Sequence, residues 1–283
     1  MIAIVYPQFY GVGGITRYLD SFLSNLPSDH SKVYLITGDK NRRLARYKGV
    51  EIINVPFTSN RLSLILWSLR VRKILIQLHN QKKIQWVNLH IPPLIPGLLL
   101  PKKIPMVLTT HNTYLGMTGD FHKEQYFKGP WSAVSVNIKR RMESYIFNQS
   151  KKMIVLSEQG KQEALAYGYK NKISIIPIGI DVDKFKPKAD VAKDIDVLFC
   201  GRMEHRKGSR AMVELCKALI IKKPGIAICI VGYGSDESWV RSHLDDFASS
   251  NVEFAGETSF IETIDFYQRS RVHASTAYYE GFP

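Results

Sequence analysis

The stretch Asp196–Gly208, DVLFCGRMEHRKG, decides the fold class of this chain. It reads as a short apolar strand, a glycine turn and a run of cations at the start of a helix. Cations at a helix N-terminus oppose the positive end of the helix dipole, so they are unfavourable there unless an anion binds beside them. Arginine can grip a phosphate through two hydrogen bonds, and lysine adds a point charge. The stretch therefore predicts a strand–turn–helix unit that binds an anion.

A second strand–turn–helix unit opens the chain. Met1–Tyr6 reads as a buried strand, Gly11–Gly14 as a glycine turn, and the residues that follow as a helix carrying Arg17. As a dinucleotide fingerprint the turn is poor, because the third spaced glycine is absent. A tight turn and an anion-binding turn both fit this segment. Arg17 is accordingly either an anion ligand or a surface charge.

Strand-like runs alternate with helical patterns along the rest of the chain, which is typical of parallel sheets covered by helices. The predicted strands are 2–6, 32–37, 50–55, 86–90, 106–111, 152–156, 173–177, 196–200, 227–231, 252–255 and 271–275. The predicted helices lie near 14–26, 61–80, 132–148, 158–167, 207–222, 236–249 and 260–269. The polar segment 181–194 separates two series. We expect two Rossmann-like, doubly wound α/β domains, residues 1–186 and 187–283, the second incomplete because its series of strands is short.

Composition narrows the functional classes. Of 283 residues, 45% are hydrophobic, enough for well-filled cores, and the formal charge of +14 favours anionic partners. Motifs typical of nucleic-acid binding are absent from the sequence, so we expect no nucleic-acid partner. The three cysteines form no CxxC pair, and no apolar run approaches the roughly 18 residues of a membrane-spanning helix. We expect a cytoplasmic protein.

Three further segments place chemical groups at predicted strand ends. His111 follows a strand, where it would face a ligand crevice or simply bond a loop carbonyl. Gly232–Gly234 follows another strand and fits either a nucleotide contact or a plain turn. Glu280–Pro283 puts a carboxylate beside a glycine turn whose free amides form an anion-binding nest, which suits a sugar joined to a phosphate.

In order and spacing, these landmarks resemble a known family. They are Gly13-Gly14, Thr109–Asn112, Val155–Glu158, Ile176–Asp181 with Phe185, Gly201-Arg202 with Lys207-Gly208, Val231–Gly234, Phe254–Gly256 and Glu280–Pro283. Together they are similar to the retaining GT-B glycosyltransferases of family 4, which move sugars from nucleotide donors. The resemblance spans essentially the whole chain. It implies two Rossmann-like domains facing a cleft that holds the donor.

The resemblance also implies roles for particular residues. Arg202 and Lys207 would neutralise the donor diphosphate, which suits a reaction in which negative charge develops on the leaving group. Glu280 and the amides of Gly281 and Phe282 would bind the transferred sugar. The resemblance further implies that Gly13, Gly14 and Gly232 approach the donor and that His111 contacts the sugar near the reacting carbon. It implies no cofactor and no metal, with a UDP-sugar slightly favoured over GDP-mannose as the substrate.

Two alternatives to sugar transfer stay open at this point. The second glutamate of the family motif would lie beyond Pro283, so a non-catalytic membrane- or saccharide-binding protein of the same fold is one alternative. A nucleotide-sugar epimerase of similar shape is the other. It would need general acid and base carboxylates in the cleft, and the sequence indicates none.

The segment 61–78 carries two apolar stripes. Leu64, Trp67, Val71, Ile74, Leu75 and Leu78 follow helical spacing and should face the core. A second stripe of Leu62, Ile65, Leu66, Leu69 and Ile76 lies opposite and is flanked by Arg61, Arg70, Arg72 and Lys73. One reading is a helix that touches an anionic membrane at the inner face of the plasma membrane; the other is a helix sandwiched between the sheet and loop 92–101. A basic, partly apolar first domain suits a saccharide or lipid-linked acceptor, as in envelope or capsular polysaccharide assembly.

Overall fold

The computed structural model describes residues 1–9, 13–38, 47–56, 58, 60–119, 130–248 and 250–282. The chain divides into two compact units, the first comprising Met1–Gly179 with Gly281–Pro283 and the second Ile180–Glu280. The second unit therefore begins a few residues before the sequence-based boundary of 186/187.

The first unit is built on a parallel sheet. Its strands are β1 (Ile2–Val5), β2 (Val33–Thr37), β3 (Val50–Asn54), β4 (Trp86–Ile91), β5 (Met106–Thr110), β6 (Lys152–Val155) and β7 (Lys172–Ile175). They lie in the order β3-β2-β1-β4-β5-β6-β7. The order reverses between β1 and β4, so the carboxyl ends of these two strands form the crevice where doubly wound sheets bind ligands.

Helices cover both faces of this sheet. They are α1 (Gly14–Ser24), α2 (Arg61–Asn80), α3 (Ile95–Leu99), α4 (Tyr114–Met117), α5 (Pro130–Gln149) and α6 (Glu158–Ala166). Leu19 and Leu23 of α1 pack with β1 and β2 in one core, whereas α2 and α5 supply Trp67, Val71 and Phe147 to the larger core on the opposite face. Strands buried on both faces explain the continuous apolar runs in the sequence.

The second unit repeats the plan at smaller size. Helix α7 (Val182–Phe185) precedes β8 (Ile195–Cys200), a 3₁₀ turn (His205–Lys207), α8 (Ser209–Lys222), β9 (Ile228–Val231), α9 (Glu237–Ala248), β10 (Val252–Gly256), α10 (Phe260–Arg269) and β11 (Ser270–Ala274). The parallel strands lie in the order β10-β9-β8-β11, so the crevice of this sheet lies at the ends of β8 and β11. Ser259 and Glu262 form a capping box that starts α10.

The predicted doubly wound α/β class is confirmed, and each predicted strand is present within a residue or two. The helix expected near residue 207 begins at Ser209, because Gly208 takes a left-handed conformation that ends the 3₁₀ turn first. The short helices α3, α4 and α7 were not predicted, since each is only one turn long. Within the described residues, no helix has the length and hydropathy needed to span a bilayer.

Candidate functional site

A pocket lies at the crevice of the second sheet. Its empty volume is about 430 Å³ with the solvent at its mouth included. The segments 199–203 and 274–277 line it from the ends of β8 and β11. Lys207, Ser209, Met212, Ile230, Val231 and Glu280 complete the lining. Three residues that the sequence placed in a donor site, Arg202, Lys207 and Glu280, thus share one pocket.

Charged side chains in and beside this pocket form a series of ion pairs in which cations and carboxylates alternate. Lys207 Nζ contacts Glu280 Oε1 in a close ion pair, and Arg206 Nη1 lies 3.8 Å from Glu280 Oε2. Glu204 bridges Arg206 at 3.0 Å and Arg202 at 3.2 Å. Arg202 is the outermost cation, with 58% of its side chain exposed. Glu204 and Arg206 lie beside the pocket and not in its lining. The three cations of this cluster outnumber its two carboxylates, an excess that an anion can neutralise.

The segment 275–280 is fastened to the 3₁₀ turn, and this fixes Glu280 beside Lys207. Tyr278 N donates to Arg206 O at 3.0 Å, and Arg206 Nη1 donates to Tyr279 O at 3.3 Å. Thr276 Oγ1 donates to Gly208 O at 3.1 Å. Gly208 has φ +74°, and a Cβ there would collide with the Thr276 carbonyl, so the approach of the two segments requires glycine.

Two other residues shape this pocket. Ser209 opens α8 and lines the pocket, and within the described residues its buried Oγ has no hydrogen-bond partner. This places a hydroxyl donor at a helix N-terminus that faces a cationic pocket. Gly232 packs directly on the Gly201 backbone, where a Cβ would collide with the Gly201 carbonyl. The structure therefore gives Gly232 a packing role behind the pocket wall.

The crevice of the first sheet holds a pair of buried histidines. His90, on β4, and His111, directly after β5, join through Nδ1 and Nε2 at 3.0 Å. His90 Nε2 lies 2.8 Å from Asn88 Oδ1. Tyr18 of α1 packs its ring edge-on against His111 with centroids 5.1 Å apart, so the start of α1 and the histidine pair share one edge of the sheet. Burial lowers the pKa of His111 to about 4 and lowers that of His90 well below its ordinary value, so both rings are neutral at pH 7.

The loop after His111 is held by two buried carboxylates. Thr113 Oγ1 donates to Glu163 at 2.6 Å and caps α4. Glu143 accepts from Tyr114 N at 2.8 Å and from Tyr167 Oη at 2.6 Å. Burial raises the pKa of Glu143 to about 7 in spite of these hydrogen bonds, which oppose the shift. The carboxylates thus fix the chain that leaves the histidine pair.

The remaining predicted site residues lie at the start of α1, at residues 281 and 282, and on α2. Gly13 and Gly14 form the exposed start of α1, with Arg17 exposed in its first turn; Gly11 and Val12 lie outside the described residues. Gly281 and Phe282 group with the first unit, where Gly281 O accepts from Ser157 Oγ at 2.9 Å.

On the outer face of α2, the second apolar stripe is exposed. Leu62 is 67% exposed, Leu66 48% and Leu69 42%, and Arg61, Arg70, Arg72 and Lys73 are exposed beside them. Loop 92–101 does contact α2, because Arg72 donates to Leu99 O at 3.1 Å. This contact leaves Leu62, Leu66 and Leu69 exposed.

His90 and Arg206 were not among the predicted site residues. His90 ends a strand next to the strand that ends at His111, so parallel-strand adjacency could have paired them. Arg206 lay in the cationic run, but the sequence did not reveal its contacts with residues 279 and 280, which are distant along the chain.

The profile of Glycosyltransferase Family 4 matches residues 12–184, more than half of the chain. The chain belongs to this family. Residues 181–283 match the profile of Glycosyl transferases group 1, so the two matches divide the chain near the boundary of its two units. An uncharacterized glycosyltransferase of Methanocaldococcus jannaschii is 22% identical over 98% of this chain and 75% of the relative.

Solved structures agree on the fold of this family 4 chain. Sucrose-phosphate synthase of Thermosynechococcus elongatus superposes with a TM-score of 0.78 at 17% identity, over 100% of this chain and 76% of that one. WaaG, a glycosyltransferase involved in lipopolysaccharide biosynthesis, gives 0.69 at 15% identity, over 99% and 76%. Anabaena HepE in complex with UDP and glucose gives 0.67 at 13% identity, over 98% and 74%. These likenesses show the GT-B fold, and the family match shows that the chain is a glycosyltransferase.

Proposed function

We propose that this glycosyltransferase moves a sugar, with retention of anomeric configuration, from a nucleotide diphosphate sugar to a saccharide or lipid-linked saccharide. The observation that carries the proposal is the pocket where Arg202, Lys207 and Glu280 meet at the strand ends of the second sheet. A diphosphate needs cations, a transferred sugar needs hydrogen-bond acceptors, and this pocket offers both side by side.

Each charged group has a distinct role in this proposal. Lys207 and Arg202 neutralise the diphosphate as it leaves, when its negative charge grows. Donor binding draws Lys207 from Glu280, and the freed carboxylate accepts hydrogen bonds from sugar hydroxyls. Ser209 Oγ donates to the bound anion, which gives its buried hydroxyl a partner. In the first unit, Gly13 and Gly14 let the donor approach the backbone, and His111 contacts the transferred sugar.

The donor we propose is a UDP-sugar, with GDP-mannose the second choice. HepE, which has the same fold, was solved with UDP and glucose. WaaG acts in lipopolysaccharide biosynthesis, and this supports an acceptor from cell-envelope or capsular polysaccharide synthesis.

A transfer assay tests the proposal. The chain is incubated with UDP-glucose, UDP-galactose, UDP-N-acetylglucosamine or GDP-mannose and with lipid-linked or free saccharides, and products are identified by mass spectrometry. We expect one donor to yield product with an α linkage, read by NMR from the one-bond ¹³C–¹H coupling at the anomeric carbon. A β-linked product would contradict retention. Conversion of a free nucleotide sugar into its epimer without an acceptor would contradict transfer and favour the epimerase.

We further propose that α2 rests on an anionic membrane at the inner face of the plasma membrane, where a lipid-linked acceptor would be presented. Leu62, Leu66 and Leu69 form an exposed apolar stripe, and the helix carries four cations and no carboxylate. An exposed apolar stripe flanked only by cations is typical of interfacial helices. Each cation near an anionic surface contributes about 1 kcal/mol of attraction.

Sedimentation with vesicles tests the membrane surface. Leu62→Glu combined with Leu69→Glu should abolish sedimentation with vesicles containing phosphatidylglycerol, because both changes put a negative charge into the stripe. The matched control is Ile221→Glu with Ile261→Glu, two aliphatic residues that are 73% and 79% exposed in the second unit. Equal sedimentation of the α2 variant and the control would refute the membrane proposal without touching sugar transfer.

A further inference from the structure

The histidine pair of the first unit continues into an ordered hydrogen-bond chain. Asn88 Nδ2 lies 2.9 Å from Thr109 Oγ1 and 3.2 Å from Val107 O, and Asn88 Oδ1 meets His90 Nε2 at 2.8 Å. His90 Nδ1 then meets His111 Nε2 at 3.0 Å. Four residues on two neighbouring strands and the loop after them thus form one buried series.

The orientation of the Asn88 amide is fixed by its backbone partner. Val107 O is a carbonyl and can only accept, so the Asn88 atom facing it must be the NH₂ group. The other end of the amide, facing His90 Nε2, is consequently the oxygen. An oxygen there requires a proton on His90 Nε2.

The protonation of the two imidazole rings follows from the orientation of the Asn88 amide. A neutral imidazole carries one proton, so His90, protonated at Nε2, must accept at Nδ1. The donor to that nitrogen is His111 Nε2, which leaves Nδ1 of His111 with a bare lone pair. No hydrogen-bond partner within the described residues occupies that Nδ1.

The surroundings keep this arrangement neutral. Desolvation lowers the pKa of both rings, and the charge of a protonated His111 would lower that of His90 further. Tyr18 contributes only its ring to both histidines among the described contacts. His90 is 1% exposed and His111 8%, so His111 is the member that can meet a ligand.

We propose that Asn88 and His90 are positioning residues that hold His111 in the tautomer with a bare Nδ1, so that the sugar group it meets is a hydroxyl. This inference rests on the proposed function, in which His111 contacts the transferred sugar. A bare lone pair accepts a hydrogen bond from a hydroxyl. A uronic acid carboxylate, which can only accept, finds neither a proton nor a positive charge there. The donor class is therefore a neutral sugar.

Nitrogen NMR of the ¹⁵N-histidine-labelled protein tests the tautomer directly. We expect protonated Nε2 and bare Nδ1 for both His90 and His111 at pH 7, assigned by comparison with His111→Gln. A proton on His111 Nδ1 would overturn the proposal. His90→Gln supplies both an acceptor and a donor, so it should preserve the bare Nδ1, whereas His90→Phe should give a mixture of tautomers. Identical His111 spectra in these two variants would assign His90 a merely structural role.

Calorimetry with UDP-glucose and UDP-glucuronic acid tests the sugar class. We expect UDP-glucose to bind more tightly than UDP-glucuronic acid. His90→Phe should reduce the ratio of the two affinities about tenfold, the effect of losing one hydrogen bond. UDP itself should bind equally to the wild type and His90→Phe. Equal affinity of the wild type for the two sugars would overturn the inferred class. If UDP does not bind, the proposed function fails and the sugar class fails with it, while the NMR result still decides the tautomer.

Discussion

Lys207 and Glu280 form an ion pair within the second unit although 73 residues separate them along the chain. The contact joins the cationic turn after β8 to the segment after β11, the two strand ends where a doubly wound sheet binds ligands. Within the pair each charge neutralises the other. In the proposed function, a bound donor diphosphate replaces Glu280 as the partner of Lys207.

Lys207→Met should weaken UDP binding by about 10- to 100-fold, the usual effect of losing a hydrogen bond to a charged group. Glu280→Gln should leave UDP binding unchanged or tighter, because Lys207 is released, but should remove the added affinity that a UDP-sugar has over UDP. Calorimetry measures both. The control is Lys222→Met, at the exposed end of α8. Equal losses in Lys207→Met and Lys222→Met would show that only net charge matters.

Arg206→Met should destabilise the second unit by about 1–3 kcal/mol, because Glu204, Glu280 and the Tyr279 carbonyl all lose a partner. Arg206→Lys keeps the charge but not the planar fork, and we expect it to recover only part of that loss. Urea denaturation followed by fluorescence measures the free energy of unfolding. Full recovery by lysine would contradict the positioning role given to the guanidinium.

Gly208→Ala should cost more free energy of unfolding than Gly225→Ala. Both glycines have positive φ, +74° and +88°, so alanine is strained at each by about 1–2 kcal/mol. Only Gly208 would also push a Cβ into the Thr276 carbonyl. The difference between the variants, measured by urea denaturation, isolates the packing of the two pocket segments. Equal costs would show that this packing is loose.

Glu143→Gln should become more stable relative to the wild type as the pH rises from 4.5 to 7. Burial raises the pKa of Glu143 to about 7, so the folded chain holds its proton more tightly than the unfolded chain. The contribution of this group to stability is therefore present below pH 4.5 and lost as the pH rises to 7, by about 3 kcal/mol. Glutamine keeps the acceptor for Tyr114 and Tyr167 without titrating.

His90 and His111 have lowered pKa values, so their contribution to stability rises with pH, opposite to that of Glu143. The wild type and Glu143→Gln both contain these histidines, so their contribution cancels when the two proteins are compared. The difference in free energy of unfolding between the two proteins is measured at pH 5, 6, 7 and 8. A wild type and variant that differ by a constant amount across this range would contradict the raised pKa.

The fold was largely predictable because each strand is a short apolar run that ends in a turn, a local property of the sequence. The motifs predicted Arg202, Lys207 and Glu280 as site residues, and the structure brings the three into one pocket. The partner of Lys207 was not predictable from charge patterning, because ion pairs between distant segments leave no local periodicity. The protonation of His111 was not predictable either. It depends on the hydrogen bond from Asn88 to the Val107 carbonyl, and only the register of β4 and β5 brings these two groups together.

For the α2 helix, the sequence predicted the two stripes but not the exposure of the second one. Its two stripes are visible in the sequence, and helical spacing correctly placed Trp67 and Val71 in the core. Spacing alone could not tell whether the second stripe, headed by Leu62, would be covered by another segment. That depended on tertiary packing, which leaves this stripe exposed.

Calorimetric titration with UDP, GDP and ADP, with NAD as the control, tests whether the Arg202–Lys207–Glu280 pocket binds a nucleotide diphosphate. We expect UDP to bind selectively, Lys207→Met to weaken this binding and Lys222→Met to keep it. Binding of none of the three diphosphates, or binding of NAD as tight as that of UDP, would contradict the assignment of the Arg202–Lys207–Glu280 pocket to a nucleotide-sugar donor.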